Sequence, residues 1–156
     1  MSMDGEKKHY GLKVCGYLIF IAYLLALIYF MFFSDFYGRT QASEEYLYNL
    51  RPFKEIIRFI KYYKTIGVTR MLLNLAGNVI GFLPFGFFVP MLFQRARKWY
   101  VVLLFSMEFS IAIEVLQLIN KVGSCDVDDV ILNTLGGLLG YFCYSIVQYV
   151  RRKNHG

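Results

Sequence analysis

Histidine and cysteine are scarce in this sequence, and their placement excludes most of the chemistry they support. Both histidines, His9 and His155, lie in polar tails, and the three cysteines, Cys15, Cys125 and Cys143, are far apart. Such a set makes no zinc site, no Ser-His-Asp or Cys-His arrangement and no even disulfide framework. Glycine-rich phosphate-binding and dinucleotide-binding motifs are absent as well. Charge is also thin: charged residues are 18% of the chain against 57% hydrophobic residues, where a soluble domain carries about 25% charge. With a mean hydropathy of +0.44, the chain reads as a membrane protein. Its formal charge of +6 is a topology signal, not a nucleic-acid surface, because the basic residues flank apolar runs and form no single stripe.

The apolar runs divide the chain into five parts. Residues 1–13 form a polar tail with Lys7, Lys8 and Lys13, which the positive-inside rule places in the cytoplasm. Residues 14–33 are an uncharged run of about 20 residues without a small-residue cleavage site, expected to remain as an anchor. Residues 34–70 form an extracytoplasmic loop. Within it Phe53, Ile56, Ile57 and Ile60 recur at helical spacing opposite Lys54, Arg58 and Lys61, which predicts an amphipathic interfacial helix with Pro52 in its first turn. Residues 71–150 hold three further spans, and residues 151–156 are a basic tail with Arg151, Arg152 and Lys153. The expected fold is an all-α integral membrane protein with four transmembrane helices and both termini in the cytoplasm. Pro84 predicts a kink or a short unwound piece in the second span.

Polar residues inside these runs are the candidate site. A carboxylate within a bilayer is costly unless paired, protonated or hydrated, so it is a functional candidate by default. At 100° per residue Glu114 and Gln117 are about 60° apart on the third span, whereas Glu108 is about 120° from Glu114 and is expected to be a buried or protonated outlier. Asp126, Asp129 and Asn133 share a face of the fourth span, and helical spacing turns Asp128 away from it. Gly136 and Gly140 continue that face as a small-residue pair open to a close neighbour. Asn74 and Asn78 lie one turn apart on the second span at the same depth, suited to interhelical hydrogen bonds or to a site. Such oxygen-rich groups can exchange protons, hydrogen-bond a polar head group or hold a divalent cation. No EF-hand spacing occurs, so no cofactor is expected and a divalent cation is the one alternative. Capping a helix N-terminus is an equally good use of Asp126 and Asp128.

Four strings in order, NLRPF (Asn49–Phe53), NLAGNVIGFLPFGF (Asn74–Phe87), EVLQ (Glu114–Gln117) and DVDDVILNTLGGLLGY (Asp126–Tyr141), resemble the VanZ-like family of bacterial membrane proteins. By that resemblance Asn49, Pro52 and Phe53 belong to the first motif, Asn74, Asn78, Pro84 and Gly86 to the second, Glu114 and Gln117 to the third, and Asp126, Asp128, Asp129, Asn133 and Gly136 to the last. Many members carry an arginine just before the last motif, where this chain has Gly123 and Ser124. The resemblance implies an envelope function linked to reduced susceptibility to teicoplanin, with a membrane lipid, a lipid-linked precursor or the lipoglycopeptide itself as partner. It supplies no reaction. Binding through an outer polar pocket, catalysis on a lipid-linked substrate with Glu114 and Asp129 as acid and base, and a purely structural polar cluster all fit the residues.

Overall fold

The computed structural model of the protein describes residues 3–33 and 46–155. Its helices are α1 (Met3–Phe33), α2 (Lys54–Lys61), α3 (Tyr63–Ile66), α4 (Val68–Leu92), α5 (Trp99–Ile119) and α6 (Val127–His155). Four of them are long and apolar enough to cross a membrane, over Tyr10–Phe32, Met71–Leu92, Trp99–Ile119 and Val127–Asn154. A 3-10 turn at Gln94–Ala96 joins α4 to α5. At the opposite end of the bundle two short strands, β1 (Tyr48–Asn49) and β2 (Cys125–Asp126), pair in parallel.

The bundle is built around the α4–α6 contact, and glycine makes that contact possible. A Cβ on Gly86 would overlap the backbone of Gly137, one on Gly136 the backbone of Val79, and one on Gly140 the carbonyl of Leu83. Backbones this close gain dispersion along the whole seam, the main attraction available where lipid removes the hydrophobic drive between helices. Gly137 does the same for α5, since a side chain there would strike Ser106. Beyond the seam the core is aromatic. Phe82 and Val102 are fully buried, and the Phe85 and Phe109 rings stack at 5.1 Å, 3° from parallel. Helix α1 packs on this core through Phe20, Leu27 and Met31. Hydrogen bonds along its length pin it: Tyr17 Oη donates to the carbonyl of Leu92 at 3.3 Å, Tyr23 Oη to that of Gly81 at 2.6 Å, and Gln117 Nε2 donates to that of Met31 at 2.7 Å.

Three sequence expectations are refined. Helix α1 begins at Met3, earlier than the apolar run at residue 14. Helix α4 continues unbroken through Pro84 and Pro90, so there is no unwound piece; the packed seam at Gly86 holds this stretch in place. The interfacial helix α2 ends at Lys61, where the periodicity ends, and the short helix α3 follows after Tyr62; Pro52 lies in the turn before α2, not in its first turn. Its inward residue is Phe59, while Ile57 and Ile60 stay exposed.

Candidate functional site

The N-terminus of α6 organises the polar end of the bundle. Asp126 precedes the first helical residue, and its Oδ1 accepts the backbone N–H of Asp128 at 2.9 Å, which makes it the N-cap. The same oxygen accepts from Asn49 Nδ2 at 3.0 Å, while the N–H of Asp126 donates to Glu114 Oε2 at 2.8 Å. One residue thus ties the strand of the NLRPF segment to α5 and α6. Burial pushes the Asp126 carboxyl above the usual range; the N–H of Asp128 and the amide of Asn49 pull it back down, the Asp128 charge adds to the rise and that of Arg58 opposes it. Burial also raises the neighbouring Cys125 thiol, reinforced by the charges of Glu114, Asp126 and Asp129.

Asp128 leaves the shared face, as the helical spacing requires, yet it is fully buried. Its carboxylate accepts the backbone N–H groups of Phe53, of Glu55 at 2.8 Å and of Ile56 at 3.1 Å. These are N–H groups at the start of α2 that have no partner within that helix, so Asp128 caps α2 from a residue over 70 positions away. Phe53 sits at φ 65, a left-handed conformation unusual for a bulky residue, and the bond to Asp128 secures it. NLRPF and DVDD are therefore two halves of one interlock: Asn49 meets Asp126, and the turn at Pro52–Phe53 presents its amides to Asp128. Gly123 lies at φ 78 in the turn before β2, a backbone conformation that glycine adopts without strain.

Below this interlock the remaining candidates meet across three helices. Asn78 Nδ2 on α4 donates to Asp129 Oδ1 on α6, and Asn133 Nδ2 on α6 donates to Ser110 Oγ on α5 at 2.8 Å. Asn78, Glu114, Gln117, Asp129 and Asn133 are all buried. Asn74 is half-buried, and no hydrogen bond joins its side chain to the cluster among the described residues. Glu108 points away from the pair, as its spacing requires, and is exposed on the outer side of α5, not buried. Two buried serines escaped the sequence reading. Ser106 and Ser110 are fully buried on α5, and with Glu114 and Gln117 they repeat every three or four residues, a periodicity that would have revealed them. The amides of Asn78, Gln117 and Asn133 each spend an N–H on a protein partner, while Asn78 Oδ1, Gln117 Oε1 and Asn133 Oδ1 accept no hydrogen bond among the described residues. Among the described residues, no group of three or more His, Cys, Asp or Glu gathers as a metal centre would need.

Beside the cluster, on the outer side of the same α5 turns, an apolar cavity of about 270 Å³ opens between α1 and α5. Ile28 and Phe32 line it from α1, and Phe109, Ala112, Ile113 and Leu116 from α5, with Asn120 at its polar end. Glu114 and Gln117 alternate with these residues, so one helical stretch turns polar atoms inward and an apolar wall outward.

No solved structure matches the chain. Protein VanZ from Enterococcus faecium is 39% identical over 72 residues, which is 44% of this chain and 42% of that protein; the matched part thus spans less than half of either. The family model described as VanZ/LLP1 matches residues 20–148, which takes in the second and third spans whole, most of the fourth, the C-terminal part of α1 and every residue of the interlock. The chain is a multi-pass membrane protein that belongs to the VanZ/LLP1 family.

Proposed function

We propose that this protein acts at the outer face of the bacterial cytoplasmic membrane, lowering susceptibility to lipoglycopeptides such as teicoplanin by holding an envelope lipid or lipid-linked precursor. The observation that carries this reading is the adjacency on α5 of the buried polar cluster and the apolar cavity. An amphiphile needs both. Its chain fits a wall of Phe32, Ala112 and Leu116, and its hydroxyl or amine groups suit carbonyl oxygens such as Asn78 Oδ1 and Gln117 Oε1, which have no donor among the described residues. In this reading Glu114 and Asp129 fix the polar end, and Asn49, Asp126 and Asp128 lock the loop above it. With the termini in the cytoplasm, the short basic loop at Arg95, Arg97 and Lys98 faces inward and the interlock faces outward.

Teicoplanin susceptibility of a host expressing the full chain tests the reading. Ala112→Phe fills the cavity, and Asp129→Ala empties a polar position; each is expected to return susceptibility to that of the host without the protein, at equal membrane abundance. Unchanged tolerance in both folded variants refutes the site. A second use of the same site, catalysis with Glu114 and Asp129 as acid and base, predicts a new lipid product when the purified protein is incubated with envelope lipids and the mixture is analysed by mass spectrometry.

A further inference from the structure

The helix pair α2–α3 is tied to the bundle but takes no part in the polar cluster, and its surface is divided in a way that calls for a partner. At ~100° per residue, Lys54, Arg58 and Lys61 fall within about 60° of one another on α2, and Ile57 and Ile60 are centred about 100° to one side. The remaining third carries Phe59, buried against the bundle, with the half-buried Glu55 and Ile56. One side thus packs, one is apolar and exposed, and one is basic. Ile57 and Ile60 are 59% and 58% exposed, and Phe53 in the turn before them is 54% exposed. At the end of a membrane bundle such a face rests in hydrocarbon, which fixes the basic side at the level of the lipid phosphates.

Its cations are set for that level. Lys61 Nζ lies 5.5 Å from the Tyr62 ring centroid and Lys64 Nζ 5.9 Å from that of Tyr63, so each ammonium is held beside an aromatic ring of the kind that settles at the membrane interface. Arg58 pairs with Glu55 at 2.7 Å, which leaves the lysines Lys54, Lys61 and Lys64, all exposed, to set the charge of the surface. The N-terminus of α2 is not an anion site, because Asp128 already occupies it. That cap has another consequence: it fixes the direction in which α2 presents its lysines.

We infer that the basic face of α2–α3 is a binding surface for anionic phospholipid head groups, separate from the buried polar cluster and held in orientation by Asp128. The charge complementarity is between three lysines and the phosphodiester of a lipid such as phosphatidylglycerol. Each lysine near an anionic surface is worth about a fivefold change in binding, weakened by salt.

Native mass spectrometry of the full chain in mixed micelles, titrated with phosphatidylglycerol or with phosphatidylcholine of the same acyl chains, tests the inference. The wild type is expected to retain phosphatidylglycerol preferentially, and K54Q/K61Q/K64Q to lose that preference by about a hundredfold. The single variant Lys61→Gln, expected at about one fifth of the wild-type preference, serves where the triple variant fails to fold. Equal retention of both lipids by the wild type, or an unchanged preference in a folded lysine variant, overturns the inference. Failure here leaves the polar-cluster reading standing, because Asp129→Ala is expected to keep the lipid preference while losing teicoplanin tolerance.

Discussion

Asp126 and Asp128 are two residues apart, and both are buried at a helix start, yet they do different work. Asp126 begins its own helix, whereas Asp128 begins another. Replacing Asp128 by Asn keeps the shape but weakens acceptors that serve several backbone N–H groups; a loss of about 2 kcal/mol is expected. Thermal unfolding in detergent, with limited proteolysis across residues 50–62, measures it; unchanged cleavage there would show that α2 needs no cap. Asp126 answers to pH. Its folded carboxyl is raised above the ordinary value of 3.8, chiefly by burial. In the window between the ordinary and the raised value the folded state keeps a proton that the unfolded chain has released, so stability falls as pH rises through that window and the penalty persists above it. Asp126→Asn, which can still cap α6, is expected to flatten that fall; a wild-type melting temperature as insensitive to pH as the variant's would contradict the assignment.

At the scale of helices, the α4–α6 seam is set by what is missing from Gly86, Gly136 and Gly140. Gly86→Ala places a methyl on the backbone of Gly137, which no rotamer change relieves, and the helices must part at a loss of about 3 kcal/mol or more. Gly81, on the same helix, is the control. A Cβ there meets only Leu27 Cδ1 at 3.4 Å, an ordinary contact with a side chain that can move, and alanine adds up to ~1 kcal/mol of helix propensity. Melting temperatures of the two variants should move far apart, Gly86→Ala downward and Gly81→Ala by little or upward; similar shifts would place the close approach elsewhere. The periodicity of α2 also has an element-scale lesson. Ile57 and Ile60 were legible as apolar, but whether they meet protein or lipid depends on Phe59, which faces the bundle instead.

For the whole molecule, orientation follows from charge counted over short loops. The loop between α4 and α5 holds Arg95, Arg97 and Lys98 within five residues, and the C-terminal end holds Arg151, Arg152 and Lys153. The opposing segment, residues 34–70, carries seven basic residues, of which Arg39 lies outside the described residues. Those on α2 and α3 reside on helices that lie at the bundle end and do not cross. Reporter fusions at the C-terminus and in the loop near Gln94 are therefore expected to score as cytoplasmic, and labelling of a cysteine placed at Lys64 as external. The reverse pattern would move the interlock and the cavity to the cytoplasmic leaflet.

Composition and charge placement determined the class of this protein: an apolar chain of this kind, with basic residues at the ends of its runs, has few options besides a multi-span helical bundle, because lipid satisfies no backbone group. Helical spacing also determined that Glu114 pairs with Gln117 and that Asp126, Asp129 and Asn133 share a face, since each relation is local to one helix. The tertiary structure alone decided what lies opposite each of them. That Asn78 reaches Asp129, that Ser110 receives Asn133, and that Asp128 caps a helix over 70 residues earlier in the chain depend on distances between segments far apart in sequence, and no periodicity encodes them. Acidic residues at a helix start look alike on paper; the backbone amides that reach them in the folded chain set them apart.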